Sequence, residues 1–219
     1  MKKGFSFADF LEELKSGEAD IVPKPVEERD ERIYFLIVCE GEKTEPNYFN
    51  YFKRQLPKNL LSTVELVGEG DNTINIVQKA IIERDKRISD PINPNYDEIW
   101  AVFDKDDFPD VRVNQAIQLA DSNDVSCAFS NQAFELWYVL HFQYLDADLH
   151  RKQYFKILSE ILGTNYEKNS LDIVELIFQK GSLDLAISSA IKLEALNNGK
   201  SEFIQNFVFL KNNFKIHRL

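Results

Sequence analysis

Residues 32 to 49 read RIYFLIVCEGEKTEPNYF, and this stretch decides the fold. Ile33 to Cys39 is an uninterrupted run of apolar and aromatic side chains, a pattern typical of a strand buried on both faces. The run stops at Glu40 and Gly41, so the strand ends in a carboxylate beside a turn. Open α/β sheets place their sites at the carboxyl ends of strands, and Glu40 is therefore the first candidate site residue.

The residues after this turn predict a helix. Thr44 stands two residues before Pro46, so it can cap a helix that has proline in its first turn. The helix is expected from about residue 45 to residue 55, with Tyr48, Phe49 and Phe52 on its inward side. The stretch is therefore a strand–turn–helix, the opening unit of an α/β sheet.

A second acidic strand end lies at residues 98 to 107, which read EIWAVFDKDD. Ile99 to Phe103 repeats the buried-strand pattern, and Asp104, Asp106 and Asp107 follow it. Residues i and i+2 of an extended chain point to the same side, so Asp104 and Asp106 can converge. Carboxylates brought close repel unless a cation neutralises them, and Mg²⁺ (or Mn²⁺) accepts all-oxygen ligands of this kind. The alternative is that two separate strand ends carry solvated acids in loops.

Strand and helix patterns alternate along the chain. Strands are expected at 33–39, 63–67, 98–103 and 125–129, with helices at 45–55, 74–88 and 111–121 between them. This alternation indicates right-handed βαβ units. The predicted fold class is α/β, with a mainly parallel four-stranded sheet flanked by helices and a helical C-terminal extension. The helices of that extension are expected at 149–162, 171–179 and 183–196.

Residues 131 to 142 predict a deeply buried helix, because apolar side chains surround it almost completely. Glu135 and His141 interrupt them. A carboxylate on a buried helix must find a partner. Glu135 is either a further metal ligand near the same sheet edge or the structural partner of a lysine or arginine. His141 is either a hydrogen-bonded core residue or a general base.

Three blocks resemble the RloB-like proteins, a family of bacterial abortive-infection proteins with a Toprim-like core. They read IVCEGEKTEPNYF at 37–49, VFDKDDF at 102–108 and SNQAFELW at 130–137. The resemblance covers roughly residues 32 to 165. Glu40-Gly41 after one strand and Asp104-x-Asp106 after a later one also look like the Toprim pattern of topoisomerases, primases and old-type nucleases.

The resemblance implies a Mg²⁺-dependent nuclease that serves as the effector of an antiphage system. Glu40, Asp104 and Asp106 would be catalytic, and the metal ligands would be drawn from those three, Asp107 and Glu135. The substrate would be DNA or RNA, transfer RNA included. Resemblance to defence Toprim proteins also implies a separate ATPase partner of the ABC or AAA type. The alternative is a non-catalytic Toprim-like subunit that regulates or binds a partner in a defence complex.

Composition limits how such a chain can meet its substrate. The 219 residues carry a net charge of −10, which excludes nonspecific nucleic-acid binding through a general basic field. Binding would need metal ions, a local basic patch or a partner that presents the substrate. Cys39 and Cys127 fall in predicted buried strands and are expected to be free thiols in a reducing cytoplasm. No signal peptide or membrane span is expected, and the oligomeric state is left open.

The chain is expected to divide into three parts: residues 1–31, an amphipathic helix and charged linker; 32–145, the Toprim-like α/β domain; and 146–219, the helical extension. The apolar stripe of the N-terminal helix, from Phe7 to Leu14, could dock on a partner or fold back on its own domain.

Overall fold

The computed structural model describes residues 33–56, 64–68, 73–105, 110–130, 132–147 and 149–197. All of them belong to one compact unit, Arg32–Leu219. The predicted N-terminal helix and linker, Asp106, Asp107 and residues 198–219 lie outside the described residues. The boundary predicted between residues 145 and 146 stays a prediction.

Four strands of the described chain form one parallel sheet. They are β1 (Phe35–Cys39), β2 (Val64–Gly68), β3 (Glu98–Asp104) and β4 (Ser126–Ser130). Their order is β2-β1-β3-β4, and each neighbouring pair is parallel. The predicted α/β class with its flanked parallel sheet is therefore confirmed, and every strand lies within two residues of its expected range.

Seven helices accompany the sheet in the described residues. They are α1 (Thr44–Gln55), α2 (Thr73–Ile88), α3 (Asp110–Asp121), α4 (Glu135–Leu140), α5 (Arg151–Leu162), α6 (Leu171–Lys180) and α7 (Leu183–Asn197). Helices α5 to α7 form the predicted C-terminal extension. Each helix in this part of the chain is too short or too polar to span a lipid bilayer.

Both faces of the sheet are buried, because alternate residues of each strand point to opposite sides. Leu36, Val38 and Ala101 face one core, which is completed by α2 and α3. Ile37, Cys39 and Val102 face a second core, which is completed by α1 and α4 to α7. The C-terminal helices thus share a core with the sheet.

The strand order reverses between β1 and β3. The chain leaves β1 through α1 to reach β2 on one side, then returns through α2 to β3 on the other. Connections that diverge in this way open a crevice at the carboxyl ends of the two strands, where ligands of open α/β sheets bind. Glu40 follows β1 and Asp104 ends β3, so the predicted acids lie at this reversal.

Two local predictions are wrong. The buried helix expected at 131–142 is the shorter α4, because Gln132 has a left-handed φ of 65° that a right-handed helix cannot include. Thr44 does not cap α1 from outside: it is the first helical residue, and Lys43 is the N-cap without a side-chain capping bond. The Thr44 hydroxyl instead donates to Asn169 Oδ1 at 2.7 Å.

Candidate functional site

Glu40 and Asp104, called the outer pair here, are brought into direct contact. The backbone N–H of Asp104 donates to Glu40 Oε2 at 2.9 Å, although 64 positions separate the two residues in the chain. Both are half-buried at the carboxyl ends of the two central strands. The two acidic strand ends that the sequence singled out therefore meet in the structure.

The reason for this contact lies in the parallel ladder between β1 and β3. The backbone N–H of Glu40, the residue after β1, donates to Val102 O at 2.8 Å, and this is the last backbone bond of the ladder. The Asp104 N–H would then lack a backbone acceptor on the β1 side. The Glu40 carboxylate supplies one, so it extends the ladder by one step and is fixed beside Asp104.

The rest of the predicted metal set is not brought together by the described residues. Asp106 and Asp107 lie outside them, and no three His, Cys, Asp or Glu side chains in the described ranges are grouped to hold a metal ion. The outer pair alone still offers only carboxylate oxygens. This donor chemistry fits Mg²⁺, which takes one or two protein carboxylates and keeps several waters.

Glu135 lies on α4 and belongs to a second, buried group of acidic residues. It is 1 % exposed, and Glu45 of α1, which is 3 % exposed, interacts with it electrostatically. Glu135 and Glu45 are called the inner pair here. Tyr166 donates its hydroxyl to Glu135 Oε1 at 2.7 Å, whereas Glu135 Oε2 is buried without a hydrogen bond from any described residue. The partner of Glu135 is thus a tyrosine rather than the expected lysine or arginine.

Burial raises the pKa of Glu45, and the nearby Glu135 carboxylate raises it further. The backbone N–H groups of Glu45 and Gly41 and the positive charge of Lys168 lower the pKa of Glu45 and oppose part of this shift. Burial also raises the pKa of Tyr166, and Glu135 adds to that shift. Glu45 therefore favours its protonated form more than a solvated glutamate does.

His141 is a core residue with both ring nitrogens engaged. Nδ1 lies 2.9 Å from Trp137 O, a carbonyl that can only accept, so Nδ1 carries the proton. Nε2 then accepts from the Tyr48 hydroxyl at 3.0 Å. Burial lowers the pKa of His141 to about 4. This agrees with the core alternative, because a neutral imidazole with both nitrogens bonded has no lone pair left for a substrate proton.

The loop between α5 and α6, residues 163–170, joins the acidic edge to the C-terminal helices. Asn169 accepts from Thr44 through its side chain and from Asn47 Nδ2 through its carbonyl, at 2.7 and 3.1 Å. Tyr166 of the same loop holds Glu135. The first turn of α1 and the start of α4 are therefore both fastened to this loop.

Sequence reasoning missed the positions of Glu45, Tyr166, Lys168 and Asn169 beside the acids. Glu45 stands in the block that gave Glu40, but a glutamate in the first turn of a helix usually indicates only the helix dipole. The other three lie more than 100 positions along the chain from α1. No local pattern reveals a contact over that distance.

Comparison with known families gives one finding. The family model described as "RloB-like protein" matches residues 35–214. This confirms the predicted resemblance and extends it through the C-terminal helices. No curated protein and no solved structure matches the chain.

Proposed function

This chain belongs to the RloB-like protein family, and from that premise we propose that it is a metal-dependent nuclease. It would hydrolyse phosphodiester bonds of DNA or RNA, transfer RNA included, in the cytoplasm of a bacterium. It would act as the effector of an abortive-infection system against phage. Its sheet would serve as a Toprim-like core, with Glu40, Asp104 and Asp106 as the acids of that pattern.

The observation that carries this proposal is the contact between Glu40 and Asp104. Two acids from separate strands meet at the reversal of strand order, where open α/β sheets bind ligands. The bond from the Asp104 N–H fixes the Glu40 carboxylate before any substrate arrives. Fixed charges of this kind need little reorganisation during a reaction.

Glu40 and Asp104 would hold Mg²⁺ or Mn²⁺, and Asp106, Asp107 and Glu135 complete the set of candidate ligands. When bound, the ion would neutralise charge that develops on the scissile phosphate. Glu40 is also the candidate general acid or base, because its carboxylate is held at the edge rather than in the core. Glu135 is the least direct candidate, since Tyr166 already bonds one of its buried oxygens.

Three lysines near the acids would receive the phosphate backbone. Lys43 is the N-cap of α1, Lys105 directly follows Asp104, and Lys168 lies close enough to act on Glu45. A chain with a net charge of −10 repels a polynucleotide over most of its surface. A local group of lysines beside the acids would direct a nucleic acid to this edge.

The test is cleavage of DNA and RNA panels, single- and double-stranded and including transfer RNA, with Mg²⁺ or Mn²⁺. Asp104→Asn removes a candidate ligand charge. Glu40→Gln removes the other charge but keeps an oxygen that can accept from the Asp104 N–H. Each variant should lower the cleavage rate by about 100-fold or more, the range of general acid–base and metal-ligand losses.

Asp121→Asn is the matched control. Asp121 is exposed at the end of α3, and α3 runs from the carboxyl ends of the strands to their amino ends. Asp121 therefore lies at the amino ends of the strands, at the opposite end of the sheet from Glu40 and Asp104. Cleavage that survives both Asp104→Asn and Glu40→Gln, or that Asp121→Asn abolishes equally, would remove the outer pair from the mechanism.

A non-catalytic subunit that binds a partner is the second candidate. The ladder contact favours it, because Glu40 Oε2 already has a structural task as a backbone acceptor. The acidic net charge favours it too, since an acidic surface suits protein partners better than a polynucleotide. Titration with Mn²⁺ separates the candidates: a nuclease should bind the ion at millimolar concentration or below and lose it in Asp104→Asn.

We also propose a separate ATPase partner of the ABC or AAA type. A nuclease aimed at host nucleic acid needs restraint, and the sequence has no Gly-x-x-x-x-Gly-Lys-Ser/Thr loop with which to bind ATP itself. The candidate docking element, Phe7 to Leu14, lies outside the described residues. Deletion of residues 1–30 followed by co-purification with the ATPase encoded nearby tests that element.

A further inference from the structure

The turn that carries Glu40 rests on the inner pair. An added Cβ at Gly41 would collide with Glu45 Oε2 and stand 2.9 Å from Oε1, so the Glu45 carboxylate lies directly against the Gly41 backbone. The Gly41 backbone also lowers the pKa of Glu45, which partly offsets the effect of burial. Glu45 therefore contacts the turn one residue beyond Glu40.

The other side of the same turn is also closely packed. An added Cβ at Gly68, the last residue of β2, would lie 2.9 Å from Gly41 O and 3.1 Å from Glu42 Cα. The backbone N–H of Glu40 is bonded to β3. The turn is thus confined by β2, by β3 and by Glu45, and Glu45 is the member of the three that acts through a side chain.

Glu45 is itself held in place by the C-terminal part of the chain. Its neighbours Thr44 and Asn47 are bonded to Asn169, and the charge of Lys168 acts on its carboxylate. Asn169 has a left-handed φ of 69°, a conformation that asparagine tolerates better than most residues. The loop at 163–170 therefore fixes the position and orientation of the first turn of α1.

We propose that Glu45 is a positioning residue for Glu40. By packing against Gly41, it sets the direction in which the Glu40 side chain leaves the sheet and reaches the Asp104 N–H. Glu45 itself is buried and would act only through this contact. The consequence for catalysis rests on the proposed function, whereas the effect on Glu40 does not.

The amide hydrogen of Asp104 reports the position of Glu40 directly, because it is the donor in their hydrogen bond. Its neighbour is a built-in reference: the Lys105 N–H donates to Ser130 O of β4 at 2.8 Å and does not depend on Glu40. Hydrogen exchange followed residue by residue by NMR can therefore separate a local change from general loosening of the fold, which accelerates both amides.

In Glu45→Ala, exchange at Asp104 should be about tenfold faster than in the wild type, while exchange at Lys105 stays unchanged. Glu40→Ala should give the same pattern as the positive control. Glu45→Gln keeps the length and shape of the side chain that packs against Gly41, so it should restore slow exchange at Asp104. Tyr166→Phe is the matched control for the inner pair, and it should leave the ratio of the two exchange rates unchanged.

An unchanged ratio of Asp104 to Lys105 exchange in Glu45→Ala would overturn the proposal. So would equal acceleration in Glu45→Gln and Glu45→Ala, because the packing of the side chain against Gly41 would then not position Glu40. The readout needs no cleavage and no metal. If wild-type protein cleaves nothing and binds no Mn²⁺ but shows the predicted exchange pattern, the proposed function fails and the positioning role of Glu45 stands. If the wild type cleaves, Glu45→Ala should also lower kcat with little change in KM, as expected for a displaced Glu40.

Discussion

The outer and inner pairs lie at the same end of the sheet, yet they meet opposite environments. Glu40 and Asp104 are half-buried, and a backbone N–H holds the Glu40 carboxylate. Glu45 and Glu135 are almost completely buried, and the Tyr166 hydroxyl donates to Glu135. A carboxylate needs access to solvent or to a ligand to carry a charge at low cost, so the outer pair is suited to an ion and a substrate.

The difference also shows how a buried acid can serve a site without entering it. The Glu45 pKa is raised by burial, which makes the residue a poor ligand for a metal that binds only the ionised form. Its carboxylate nevertheless packs against Gly41, in the turn that follows Glu40. If the comparison is correct, changes in the buried layer should alter stability and its pH dependence, whereas changes at the edge should alter activity and nucleic-acid binding.

The largest effect on the buried layer should come from pH through His141. Its pKa falls from the ordinary value of 6.5 to about 4 on burial. Below pH 6.5 the unfolded chain binds a proton that the folded chain refuses, so stability present above pH 6.5 is lost as pH falls toward 4. That loss amounts to about 3 kcal/mol of unfolding free energy. Urea denaturation of the wild type at pH 6.5 and at pH 4 should measure this loss of unfolding free energy.

His141→Gln should lack this part of the acid loss, because glutamine does not titrate. His150→Asn is the control, since His150 is an exposed N-cap of α5 and asparagine is a good replacement there. Identical pH dependence in the wild type and His141→Gln would mean that His141 accepts a proton within the folded core. The buried layer would then tolerate charge as the edge does, and the comparison would fail.

A smaller effect is expected from Tyr166→Phe, which removes the 2.7 Å bond to Glu135 Oε1. Within the described part of the chain, Glu135 would then have no hydrogen bond to either oxygen, and the unfolding free energy should fall by about 2 kcal/mol. Adding Glu135→Leu should recover most of that loss, because both polar partners are then absent. Chemical denaturation of the single and double variants measures both steps.

Tyr51→Phe serves as the control for that experiment, since Tyr51 stacks on Phe178 with ring centroids 4.0 Å apart and phenylalanine keeps the stacking. It should change stability by less than about 0.5 kcal/mol. A Tyr166→Phe chain as stable as this control would show that Glu135 does not depend on Tyr166 for its burial.

The smallest effect should come from Lys43→Ala near the carboxyl ends of the strands, and it should change the salt dependence of nucleic-acid binding. Lys43 is exposed at the N-cap of α1 and makes no capping bond through its side chain, so stability should hardly change. Loss of one phosphate contact should reduce the slope of log affinity against log salt by about 1. Fluorescence anisotropy with a labelled RNA oligonucleotide, without divalent ions, measures this slope.

Lys86→Ala is the matched control, because Lys86 lies exposed in the last turn of α2, near the amino ends of the strands. Equal slopes for Lys43→Ala and the wild type would exclude Lys43 from phosphate binding. A reduced slope in both variants would instead indicate a diffuse electrostatic effect.

Much of the fold followed from local sequence. The apolar runs before Glu40 and Asp104 predicted two central strands, and the alternation of strand and helix patterns predicted the parallel sheet. These features are local because side-chain periodicity and strand ends are set by neighbours in the chain. The start of α4 was mispredicted, since the left-handed φ of Gln132 leaves no signature in an apolar pattern.

The sequence by itself determined the elements, the α/β class, the family resemblance and the two acids that meet at the strand ends. Only the tertiary structure decided which acid lies at the edge and which lies in the core. Tyr166 meets Glu135 across 31 positions, and Asn169 meets Thr44 across 125. A carboxylate's burial and partners depend on such distant contacts. The Glu40 turn is therefore specified locally as a turn, but it is placed as a site by α1, β3 and the loop before α6.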